Sequence, residues 1–98
     1  MIVTVKLTEP QEGAFQCRDW SEEPLTRAAW SGGRLTFDSA DAWDLLTEIT
    51  DASNAEDEFA QTVTGECRTH ANRAAQVLAN VTKSIVRALH SAKREASR

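Results

Sequence analysis

Between Gly65 and Ser97 the apolar residues keep a single beat. Cys67, Ala71, Ala74, Leu78, Val81, Ile85, Ala88 and Ala92 follow one another at spacings of 4, 3, 4, 3, 4, 3 and 4, which holds them on one side of an α-helix. Nothing else in the chain is as regular, so the upstream elements are expected to pack against this helix. In heptad terms Ala71, Leu78, Ile85 and Ala92 share one position, and Cys67, Ala74, Val81 and Ala88 share the other. A simple two-stranded coiled coil would place charges beside this seam. Here Ala75, Val77, Thr82, Ser84, Leu89 and Ser91 border it, and Ala79 and Val86 widen it. The apolar surface therefore exceeds the roughly 100° needed for packing on one side. A face that wide calls for two neighbours, and a second copy of the helix supplies one most simply. The expectation is a homodimer with Ala71, Ala74, Leu78, Val81, Ile85, Ala88, Leu89 and Ala92 at a two-fold interface. The competing reading makes the same helix the core of a monomer.

Upstream, the pattern changes to period two. Ile2 to Leu7 is β-branched and alternating, with Val3, Val5 and Leu7 on one face and a part-covered Ile2 on the other, which predicts a strand. Pro10 and Gly13 sit at turn spacing and should end it. Phe15 and Cys17 alternate with Gln16 and Arg18, suiting a second, antiparallel strand. A short helix beginning at Pro10 is the rival, because proline tolerates a first helical turn. Ser21-Glu22-Glu23-Pro24 reads as a helix start, with Leu25 to Trp30 as its body and Gly32-Gly33 as its stop. Arg34 to Phe37 completes the strands. Asp38-Ser39 caps a helix to about Ala52, with Trp43, Leu46, Ile49 and Ala52, or else Ala42, Leu45 and Ile49, as its buried stripe. Ser53-Asn54-Ala55-Glu56 has the capping-box pattern, so a fresh helix is expected from Asn54, with Phe59 and Val63 on one face. Gly65 either breaks the chain before the long helix or sits inside one longer element. The fold class expected is α+β: a small three-stranded antiparallel sheet packed by helices, with a long amphipathic C-terminal helix. The 98 residues make one domain, 1–98. Within it, 1–37 is strand-rich, 38–64 acidic and helical, and 65–98 the long helix with a frayed basic tail.

The net charge of −4 hides a division. Residues 1–67 carry 14 acids against Lys6, Arg18, Arg27 and Arg34, a balance of −10, whereas residues 68–98 carry seven bases against Glu95, a balance of +6. Such poles either neutralise each other inside the fold, the favoured expectation, or face different partners. The acidic pole is ordered: Asp41, Asp44, Glu48 and Asp51 recur at spacings of 3, 4 and 3 on the helix side opposite Trp43 and Leu46. Glu56, Asp57 and Glu58 extend it. Like charges at these spacings cost a few tenths of a kcal/mol per pair, a penalty that a docking role would explain. The bland alternative is a solvated face. The basic pole lines the far face of the long helix, with Arg73, Lys83, Arg87, His90 and Arg94 interleaved with Gln76 and Asn80. Such a stripe could track phosphates, although cations near a helix C-terminus also answer the macrodipole.

Catalytic patterns are missing. No phosphate loop, nucleophile elbow or zinc-protease motif occurs, and acids in a helical row point outward rather than converging on a cation. Cys67 and His70, at i and i+3, could share a metal only with unsupported help from Cys17 and His90, so a small buried cysteine at the start of the seam is the simpler reading. Two cysteines are too few for a disulfide framework, and no apolar run approaches the roughly 20 residues of a membrane span. The N-terminus has no basic stretch ahead of an apolar one, so a cytoplasmic chain without cofactor, metal or membrane partner is expected. Trp43 is assigned to the core, and so are Trp20 and Trp30, with one of that flanking pair standing exposed as an interface anchor as the alternative. The functional expectation is a small non-enzymatic interaction protein: a dimeric inhibitor or accessory regulator that docks its acidic helix face on the basic surface of a macromolecular target. The alternative is a dimeric nucleic-acid binder that uses the basic helix face.

Overall fold

In a computed structural model the chain is an α+β protein, and the structure describes residues 1–16, 29–31 and 33–97. Strand β1 (Ile2–Lys6) leads into helix α1 (Glu9–Gln16), and after a gap in the described residues come β2 (Ala29–Ser31) and β3 (Arg34–Asp38). A 3-10 turn at Ser39–Asp41 then opens helix α2 (Ala42–Thr62), and helix α3 (Glu66–Ala96) completes the chain.

β1 and β3 pair antiparallel with Val3 opposite Phe37, Thr4 opposite Thr36 and Val5 opposite Leu35. The period-two pattern decides which face is covered: Val3, Val5, Leu35 and Phe37 are buried, and the Thr4 and Thr36 hydroxyls meet 3.3 Å apart on the outer face. Ile2 lies on that outer face and is 67% exposed, so the expected partial cover over it is not there. The strand expected at Phe15 and Cys17 is not there either. Residues 9–16 form α1 instead, and Cys17 lies outside the described residues. Thr8 and Gln11 close a reciprocal cap, in which the Thr8 amide donates to the Gln11 Oε1 at 2.8 Å and the Gln11 amide to the Thr8 Oγ1 at 3.4 Å. This is the capping box at Thr8-Glu9-Pro10-Gln11, and Pro10 sits where a first-turn N–H would have no helical partner.

The other neighbour of β3 is β2, in the order β1-β3-β2, with Ser31 opposite Arg34. The helix expected over Leu25 to Trp30 thus ends as a strand, and Trp20 and residues 25–28 lie outside the described residues. Gly33, at φ +74°, supplies left-handed backbone, but for the hairpin between β2 and β3 rather than for a helix stop. Its carbonyl accepts the Leu7 amide at 2.7 Å.

α2 runs unbroken through Ser53, so no fresh helix begins at Asn54. The Ser53 hydroxyl turns away from its own backbone and donates to the Ala75 carbonyl of α3 at 2.8 Å. Gly65, at φ +66° and ψ −138°, separates the two helices, and the Arg68 Nε donates to the carbonyls of Ala60 and Val63 at 3.0 Å each. A cation there also answers the negative end of α2. At 1.5 Å per residue, the 31 residues of α3 span about 46 Å, and the molecule measures 51 × 23 × 23 Å.

α3 packs on α2, α1 and β1. Leu78, Val81 and Ile85 meet Leu45 and Ile49 of α2 and the sheet's Val3, Val5, Leu7, Leu35 and Phe37 in one core. Toward Gly65 the fully buried apolar residues shrink to Ala60, Ala71 and Ala75, with Arg68 and a half-buried Val63 closing the hairpin's tip. The neighbours that cover the wide apolar face of α3 therefore belong to the same chain.

Candidate docking surface

α2 aims its residues by turn and period. The inward stripe is Ala42, Leu45, Ile49 and Ala52, which leaves Trp43 pointing out. Its indole is 78% exposed, which overturns its assignment to the core. Phe59, placed on a packing face by the pattern, is 53% exposed. Trp43, Leu46, Thr47, Thr50 and Asp51 line a shallow hollow of about 250 Å³, and the Thr47 hydroxyl donates to the Trp43 carbonyl at 2.9 Å. Just over two turns hold an open indole beside the carboxylates of Asp44 and Asp51.

The seven candidate acids divide. Asp44, Asp51, Asp57 and Glu58 are exposed, whereas Asp41, Glu48 and Glu56 are half-buried and engaged with other groups of the protein. Asp44, Asp51 and Glu58 recur every seven residues, about 10.5 Å apart along the helix axis. Asp38, just upstream, is spoken for. Its Oδ1 accepts the Ala40 amide at 3.1 Å and lies 3.5 Å from the Met1 ammonium. The backbone hydrogen bond first, and the ammonium second, hold its carboxyl below the usual range. That is the expected cap, and it fixes the entry to α2.

The candidate interface on α3 also divides. Ala71, Leu78, Val81 and Ile85 are buried inside the single chain, and Ala74, Ala88, Leu89 and Ala92 are half-buried. No two-fold interface can be built on the first four without opening the core, a correction that follows from α2 and the sheet already covering them. Cys67 is exposed and free, not buried at the head of the seam, because the seam's burial begins one turn later at Ala71. On the far face Arg73, Lys83, Arg87, His90 and Arg94 are all exposed. The Gln76 amide donates to the Asn80 Oδ1 at 3.2 Å between them. Thr82, Lys83, Val86 and Arg87 border a second hollow of about 320 Å³, and Val86 is 41% exposed.

Among the described residues no ion pair joins an acid of α2 to a base of α3; the ion pair present is that of the Met1 ammonium with Asp38. Among the described residues, too, no three His, Cys, Asp or Glu side chains gather where they could hold a metal, and no helix is long and apolar enough to cross a membrane. No known protein family, curated protein or solved structure matches the chain. The open indole and the division of the acids were the parts missed from the sequence. The signal for Trp43 was present in the Ala42-Leu45-Ile49 spacing, which turns position 43 away from the core.

Proposed function

We propose that the protein is a non-enzymatic interaction protein, an inhibitor or accessory regulator, that docks the acidic face of α2 on a basic surface of a macromolecular target. The observation that carries this reading is Trp43, 78% exposed on a rigid helix that also presents Asp44 and Asp51. A solvated acidic face needs no exposed indole. An aromatic anchor bordered by charge is the usual composition of a binding hot spot, with long-range attraction setting the rate of encounter. The test is capture of the target from the native cell extract on immobilised protein, quantified against Trp43→Ala and the pair Asp44→Lys, Asp51→Lys. The target should be lost with both variants while their helical circular dichroism stays that of the wild type. A target retained by both would overturn the reading.

A second reading is supported by the basic face of α3, where Arg73, Lys83, Arg87 and Arg94 stand exposed with His90 and, among the described residues, without an ion pair to an acid of α2. Here the protein would bind nucleic acid through phosphate contacts. Titration with duplex DNA tests it: each phosphate neutralised contributes about −0.9 to the slope of log affinity against log salt. Arg87→Glu should abolish binding, and a flat salt dependence would count against it.

A further inference from the structure

The charged faces of α2 and α3 are complementary to each other, yet α2 and α3 lie side by side in one chain. The Ser53–Ala75 hydrogen bond fixes the register of this antiparallel hairpin. Each step toward the N-terminus of α2 is matched by a step toward the C-terminus of α3. Trp43 is then level with Ile85 and Val86, Asp44 with Ser84, Asp51 with Val77, and Glu58 with His70. Among the exposed polar residues of α3, Lys83 lies one residue from the level of Asp44, Gln76 one residue from that of Asp51, and Arg73 three residues from that of Glu58, which is level with His70. The acids and their complements therefore run at similar heights, but Asp44 and Asp51 lie about half a turn round α2 from Ser53, on the side away from α3. Among the described residues no ion pair joins them within the chain.

A second copy removes that obstacle. A two-fold axis parallel to the helices keeps every level unchanged while it exchanges left for right, so α2 of one copy lies antiparallel over α3 of the other. From this we infer that the basic surface which the acidic face of α2 fits is α3 of a second copy. The inference rests on the docking reading above and names its partner. In the pair, Trp43 reaches the hollow around Val86 of the second copy, between Lys83 and Arg87, where an indole face attracts cations. Asp44 lies against Lys83, and Glu58 against Arg73, each contact made twice by symmetry. The two chains, each at −4, repel as whole bodies but attract through these faces. The assembly is thus held by short-range pairing that salt screens, not by Ala71, Leu78, Val81 and Ile85 of the seam, which are inside each fold.

Sedimentation of the full chain, at low salt and at about 1 M salt where the screening length falls to ~3 Å, is the test. The wild type should be a dimer at low salt and a monomer at high salt. Asp44→Lys and Lys83→Asp should each be monomeric at low salt, and both changes in one chain should restore the dimer, because the swap rebuilds the pair with its sign reversed. Trp43→Ala should weaken the dimer about tenfold or more, as loss of a hot-spot anchor does. A wild type monomeric at low salt, a dimer indifferent to salt, or a charge-swapped chain that stays monomeric would each overturn the inference. These results leave the docking reading standing, since that reading falls only when a captured target is retained by Trp43→Ala and by the Asp44, Asp51 reversal.

Discussion

Asp38 accepts from two donors at once, the neutral Ala40 amide of the 3-10 turn and the charged Met1 ammonium. Because folding lowers its carboxyl below the ordinary value of 3.8, its contribution is complete above that value and is lost as pH falls through the folded one. The stability difference between wild type and Asp38→Asn, taken from urea titrations, should therefore be steady at neutral pH and shrink in acid below about pH 4. A difference that grew in acid would remove the cap from this account. Ser53 is a second residue whose partner decides its role. Ser53→Ala gives up a buried hydrogen bond worth about 0.5–1.5 kcal/mol and regains up to about 0.5 in helix propensity. A net loss of about 0.5–1 kcal/mol is expected in the same titration. The chain holds the capping-box pattern twice, at Thr8 to Gln11 and at Ser53 to Glu56, and only the first is a cap. Local sequence cannot separate them, because what silences the second is the Ala75 carbonyl, 22 residues away in the chain.

At the level of elements, two glycines make opposite predictions. Gly13 lies inside α1 with φ negative and nothing within 4 Å of an added Cβ. Gly13→Ala should raise the melting temperature, since alanine gains about 1 kcal/mol over glycine in a helix. Gly65 has equal room but sits at φ +66°, so its penalty comes from backbone conformation alone. Gly65→Ala should cost about 1–3 kcal/mol, exceeding the ~0.4–1 kcal/mol that a stiffer unfolded chain returns. Equal effects of the two changes would mean that Gly65 does not set the break between α2 and α3. The long helix, β1, β3 and the cap at Asp38 were legible because period and cap agree there. The Phe15–Cys17 segment was not, for its two-residue alternation is too short to outweigh the Thr8-Gln11 cap and Pro10. Trp43 was misplaced for a related reason: two apolar stripes fit the helix pattern of α2, and only packing against α3 and the sheet chooses between them.

For the whole molecule, neighbouring positions on α3 separate core from contact surface. Ile85 is fully buried among Leu78, Val81 and the sheet residues, whereas Val86, about 100° further round the helix, is part-exposed. Ile85→Ala should cost about 2–5 kcal/mol through lost burial and an unfilled cavity. That is a large part of the ~5–15 kcal/mol by which a domain is stable. Ile85→Asp places an unpaired charge there and should abolish cooperative unfolding rather than yield a folded monomer. At about 1 M salt, where the wild type is also monomeric, Val86→Asp should leave the free energy of unfolding within about 0.5 kcal/mol of wild type, because its side chain is 41% exposed in the single chain. In sedimentation at low salt the same change should yield a monomer, since it sets a carboxylate against the indole that the second copy inserts. A folded, monomeric Ile85→Asp would return the two-fold contact to the alanine seam. A folded, monomeric Val86→Asp beside an unfolded Ile85→Asp assigns it to the outer faces of the hairpin, one residue and a third of a turn away.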